Sequence, residues 1–206
     1  MSYYPRHALV RAVRSLSTAT KVAIATVATG GLLGAGAVAA ISASAATAPS
    51  CTSQVTASGP FSEHVTKATV DYYLGARNTI TAGSAAILKP AQNSHTLFFH
   101  CDQNISNGNG GSVPAVSFLI RSANGTVYAL TSRSATAGAN VTLERPGNGH
   151  LGYRSQKWTW TFDATTNTYQ FKNASTGLFL RVRNSGPKMG QTVSTGKTAT
   201  DWAQSS

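Results

Sequence analysis

A repeat of about fifty residues constrains this chain more than any other feature. Ile120 is followed by Gly125, Val127-Tyr128, Gly138-x-x-Val141 and Gln156-x-Trp158. Phe171 is followed in the same order by Gly177, Phe179-Leu180, Gly190-x-x-Val193 and Asp201-Trp202. The offset is 51 residues for Ile120/Phe171 and 52 for Gly125/Gly177, Gly138/Gly190 and Val141/Val193. It drops to 44 for Trp158/Trp202, because the segment 146–154 is longer than its counterpart. A constant period of this length means that one supersecondary unit is reused and that neighbouring units share a core.

Each unit is made of short β-branched and aromatic runs between turn signals. Val116–Ile120, Val127–Thr131, Val141–Glu144 and Trp158–Phe162 are punctuated by Asn124-Gly125, Ala137-Gly138 and Pro146-Gly147. Tyr169–Lys172, Phe179–Arg183 and Thr192–Thr195 repeat the order. No stretch after residue 46 carries a helical stripe over three turns, so the spacing predicts an all-β domain. A third copy is expected upstream from Val70–Leu74, Gly83–Ile87 and Thr96–His100, with Gly83 standing 55 residues before Gly138. It has no Gln-x-Trp. The expected units are about 66–115, 116–165 and 166–206, after a lead at 47–65 that holds Cys51.

The first 46 residues stay outside this fold. Arg6, Arg11, Arg14 and Lys21 precede an uncharged run from Val22 to Ile41, which ends in Ser42-Ala-Ser-Ala-Ala46. Basic, then apolar, then small is the order of a cleaved secretory signal peptide, of a style that resembles actinobacterial exports. An uncleaved anchor is the competing reading, although four glycines weaken the run. Cleavage leaves no membrane span and an extracellular protein with two cysteines, Cys51 and Cys101. An even pair in an exported chain predicts one disulfide, closing a loop worth roughly 3–4 kcal/mol, with two free thiols as the alternative.

Tyr169-x-Phe-x-Asn173, Ser175-Thr-Gly177, Phe179-Leu-x-Val182, Gly190-x-x-Val193 and Trp202 together resemble one repeat of a ricin-type lectin domain. Gln156-Lys157-Trp158 matches the Q-x-W signature of that family. The resemblance implies a single β-trefoil of three four-stranded units, with Trp158 and Trp202 as structural core residues. It also implies sugar sites that are degenerate here. The family's sugar-binding Asp is replaced by Arg181 in one copy and Ala129 in the other, and Glu144 and Gly196 stand where an aromatic platform is expected.

The expected ligand-binding residues are therefore Gln156, Asn148 and Tyr153, joined by the charge of Arg181 and Arg183. The chain holds 17 Lys+Arg against 6 Asp+Glu, a formal net charge of +11. Such a balance attracts polyanions through its long-range field, although a solvated basic face is the plainer reading. No catalytic residue, metal set or cofactor is expected: the carboxylates are scattered singly, and His95 and His100 read as solvated or edge-strand residues. The leading expectation is a secreted, non-catalytic carbohydrate-binding module for glycans or an anionic cell-envelope polymer, with no specific nucleic-acid partner. The alternative is a protein-interaction module, such as a peptidase inhibitor or a toxin-like partner binder, using the enlarged 146–154 loop.

Overall fold

A computed structural model describes residues 48–51, 57–147, 152–183 and 186–206. The expected signal peptide and Asn148 lie outside the described residues. Thirteen strands and one 3-10 turn are present among them, and no α-helix. The first unit comprises β1 (Ser58–Lys67), β2 (Val70–Gly75), the split pair β3 (Ser84–Ala85) and β4 (Ile87–Lys89), and β5 (Phe98–Ser106). The second comprises β6 (Ser112–Arg121), β7 (Val127–Thr131), β8 (Thr142–Glu144) and β9 (Trp158–Asp163). The third comprises β10 (Thr168–Asn173), β11 (Phe179–Arg181), β12 (Ser194–Gly196) and β13 (Ala203–Ser205). Strand β1 begins inside the segment read as a lead, so the first unit starts at Ser58.

The first and last strands of each unit close a six-stranded antiparallel barrel. Neighbours run β1–β5–β6–β9–β10, and β13 returns to β1 through Ser62↔Ser205, Glu63↔Gln204 and His64↔Ala203. The last gap is closed where Tyr169 and Trp202 exchange backbone hydrogen bonds of 2.8 and 2.9 Å. Closure removes the sheet edges that six open strands would expose. The middle strands form three hairpins, β2–β4, β7–β8 and β11–β12, which continue from the C-terminal halves of β1, β6 and β10 and cap one end of the barrel.

The hairpins meet in a closed ring of backbone hydrogen bonds. Ala86 N donates to Val141 O (2.9 Å), Val141 N to Val193 O (3.0 Å), and Val193 N back to Ala86 O (2.9 Å). A second ring lies outside it: Gly83 N donates to Leu143 O, Gly138 N to Thr195 O and Gly190 N to Leu88 O, at 2.7–2.8 Å. The three donor glycines have φ of +84°, +91° and +73°, in the left-handed region that a side chain disfavours. The landmark spacing of the sequence is thus the spacing of residues around a pseudo-threefold axis, and the upstream segment is a full third copy.

Around that axis the units bury matched residues. Leu74, Leu130 and Leu180 are fully buried, as are Phe98, Trp158 and Trp202. Trp158 Nε1 donates to Leu130 O (3.1 Å) and Trp202 Nε1 to Leu180 O (3.3 Å), so each indole has a partner for its only polar atom. The first unit places Phe98, which has no donor to satisfy, at the same station. The expected disulfide forms between Cys51 and Cys101. It packs with Ala57, Phe99, Leu119 and Ala129 in a second apolar cluster on the outer face of β5, β6 and β7.

His100 departs from the sequence expectation. Strand β5 lies between β1 and β6, so His100 sits on an interior barrel strand and is buried. Its Nε2 stands 3.2 Å from Oε1 of Glu63, which is also buried. Alternation along β5 puts residue 100 on the same face as the core residue Phe98, and the lone sequence gave no view of that neighbour.

Candidate functional site

The β11–β12 hairpin positions the two arginines. Arg181 closes β11 opposite Ser194, and its side chain lies flat across Gly196, where a Cβ would collide with the Arg181 Cδ. Glycine at 196, where the family pattern has an aromatic, thus makes the bed for this side chain. Arg181 Nη1 donates to Thr198 Oγ1 (3.1 Å) and Nε to Val182 O (3.3 Å). Arg183 crosses to the second unit, where its Nη2 donates to Asn140 Oδ1 (3.3 Å). Both arginines line one groove with Ser194 and Thr195 of the third unit and Ala137 and Gly138 of the second. Thr195 Oγ1 borders it, buried and without a hydrogen-bond partner.

More positive charge surrounds this unit. Lys172 Nζ stands 5.5 Å from the centroid of the Phe179 ring, and Lys197 is exposed just past β12. By contrast Arg133 is matched by Glu144 at 3.0 Å. Hydrogen bonds to Thr198, Val182 and Asn140 hold the two guanidinium groups in place at the groove. Planar forks of five N–H donors suit carboxylate, sulfate and phosphate oxygens.

Gln156 and Tyr153 are elsewhere, in the connection between β8 and β9. Gln156 is 1% exposed, and its amide is fully engaged. Its Oε1 accepts from Gly147 N and Tyr153 N, both at 3.1 Å; its Nε2 donates to Thr131 Oγ1 (3.2 Å) and Arg145 O (3.0 Å). Gln156 therefore clamps the loop from inside, and no polar atom of it is left for a sugar. Tyr153 is exposed, with its ring against Gly147. The structure brings Arg181 and Arg183 together and holds Gln156 and Tyr153 as a separate pair.

The same clamp recurs in reduced form. Asn93 N donates to Thr96 Oγ1 and Thr96 N to Asn93 O, both 2.8 Å, which repeats the reciprocal bonds of Tyr153 and Gln156. In the third unit Thr200 Oγ1 accepts from Val182 N (3.0 Å). Thr96-x-Phe98, Gln156-x-Trp158 and Thr200-x-Trp202 are thus one motif in three versions. Sequence reasoning also missed Asn140, Thr195 and Thr198 beside the arginines. Asn140 was within reach, since it precedes the axial Val141 by one residue.

No family model matches the chain, and no curated protein matches it. Among solved structures, the chain is similar to a designed three-fold symmetric protein, ThreeFoil, with a TM-score of 0.52 and 16% identity over 71% of this chain and 98% of that one. The fold is a β-trefoil. A lectin of Polyporus squamosus, solved with a sialylated epitope, is matched with a TM-score of 0.48 and 18% identity over 71% of this chain. This trefoil spans 49% of that lectin's length.

Proposed function

We propose that this trefoil is an exported, non-catalytic binding module of the ricin-lectin kind whose ligand is an acidic polysaccharide or anionic cell-envelope polymer. The observation that carries the reading is the groove between the second and third units, where Arg181 and Arg183 lie side by side against Gly138 and Thr195. Replacing a sugar-binding carboxylate with Arg181 inverts what the position recognises. A carboxylate accepts hydrogen bonds from sugar hydroxyls, whereas a guanidinium donates to anionic oxygens. Without the first 46 residues the chain keeps 13 Lys+Arg against 6 Asp+Glu, and this formal net charge of about +7 supplies the steering field.

The test compares polygalacturonate with neutral dextran as ligands. The protein should bind polygalacturonate and ignore dextran, and affinity should fall as salt rises from about 0.15 to 0.5 M. The double variant Arg181→Gln, Arg183→Gln should weaken polygalacturonate binding about tenfold or more, a loss of at least ~1.4 kcal/mol. Equal binding of both polymers, or no change in the double variant, would remove the groove as the site.

A further inference from the structure

The barrel has a second, open end opposite the hairpin cap, and its lining is not that of a finished core. Inward positions follow the strand period of two. Two residues beyond Phe98 on β5 comes His100, two beyond Trp158 on β9 comes Trp160, and two beyond Trp202 on β13 comes Gln204. Two before Phe171 on β10 is Tyr169. Each continues the interior face past the packed layer. There they surround a cavity of about 250 Å³ to which all six barrel strands contribute, with Phe61 and Asp102 completing the wall.

Two features make this mouth a site and not a frayed end. The first is aromatic surface left open to solvent. Trp160 is 38% exposed and Phe162 41%. Tyr169 joins them, with ring centroids 5.9 Å from Trp160 and 4.9 Å from Phe162. The second is convergent polarity at the same spot. Gln204 Nε2 stands 3.4 Å from His100 Nδ1, and His100 Nε2 faces the buried Glu63 carboxylate, whose oxygens have no hydrogen-bond partner of good geometry. Asp102 adds an exposed carboxylate at the rim.

A ligand for such a pocket has one apolar face for the indole and phenol rings and a polar edge for a carboxylate and an amide. A pyranose ring meets both requirements: its C–H face stacks on aromatic rings, and its hydroxyls donate to Asp102 and accept from Gln204. The cavity has room for one ring, since drug-sized sites are larger. Its floor is closed by Val116 and Phe171. We propose that the open end of the barrel binds a single neutral pyranose at a glycan terminus. The exposed carboxylate of Asp102 at the rim repels an acidic sugar, so this mouth and the arginine groove select ligands of different charge. No residue is shared between them, and the proposal stands apart from the one for the groove.

The test uses the tryptophans as reporters. Trp158 and Trp202 are fully buried, so a ligand at the mouth acts on the emission of Trp160. The full chain is titrated with methyl glycosides of glucose, galactose, mannose and N-acetylglucosamine. At least one should give a saturable blue shift or quench. Asp102→Asn, an exposed change that leaves the fold and Trp160 in place, should weaken that response about tenfold. The double variant Arg181→Gln, Arg183→Gln should leave it unaltered. If none of the four glycosides moves the emission, or if the response survives Asp102→Asn at full strength, the proposal is overturned.

Discussion

Gln156 is expected from its sequence context to meet a ligand, and in the structure its amide is buried and bonded within the protein. Its four hydrogen bonds tie Gly147, Tyr153, Arg145 and Thr131 together inside the protein. Gln156→Ala leaves the buried Gly147 N–H, the part-buried Tyr153 N–H and the Arg145 carbonyl without this partner, so it should cost about 1–3 kcal/mol in denaturant unfolding. Polygalacturonate binding by the fraction still folded should be unchanged. His95 gives a second residue-scale prediction. Burial, and then the charge of Lys89, hold its imidazole below the ordinary histidine value, and its Nδ1 is buried without a partner. The unfolded chain therefore takes up the proton first. Stability is full above the ordinary histidine pKa, falls as pH drops through it, and levels off below the folded value. Between about pH 7.5 and 5 the thermal midpoint should fall further in the wild type than in His95→Asn. Equal slopes would mean that His95 contributes nothing to acid sensitivity.

At the scale of elements, the hairpins carry the symmetry. Each of Gly83, Gly138 and Gly190 turns the chain with positive φ and donates to the next hairpin, and nothing lies within 4 Å of where a Cβ would stand. Alanine there meets no neighbour and is opposed by backbone strain alone. Gly138→Ala and Gly190→Ala should each destabilise by roughly 1–2 kcal/mol, and by similar amounts, because the two positions are equivalent. A large difference in their chemical-denaturation midpoints would argue against that equivalence. The strands of the second and third units were legible from composition because their inward residues alternate with polar ones. The first unit was harder to see. The segment that enters its last barrel strand carries Thr96 and Phe98 where the others carry Gln156 and Trp158 or Thr200 and Trp202, so backbone geometry persisted while the side-chain signature was lost.

For the whole molecule, the disulfide and the barrel make separate contributions. Cys51–Cys101 fastens the segment before β1 to β5 across 50 residues. In the chain-entropy picture its reduction costs about 4 kcal/mol, which is on the order of 10 °C in the thermal midpoint of a domain this size. The reduced protein should nonetheless remain folded, because β1 is held by β2, β5 and β13 without it. Near-ultraviolet circular dichroism with and without reductant checks both parts; loss of the aromatic signal at room temperature would show that the barrel depends on the bridge.

The sequence by itself determined the repeat, and with it the strand order, the turns and the two core tryptophans. Those follow from local rules: glycine where φ is positive, alternation where one face is buried, and the same solution used three times. The tertiary structure alone decided which chemistry lies together. Arg183 meets Asn140 from 43 residues away, His100 meets Glu63 across a barrel seam, and Trp160 shares a mouth with Gln204 and Asp102. The ring of hairpins makes the first pair neighbours and barrel closure the other two, joining segments whose separation along the chain carries no periodic signal.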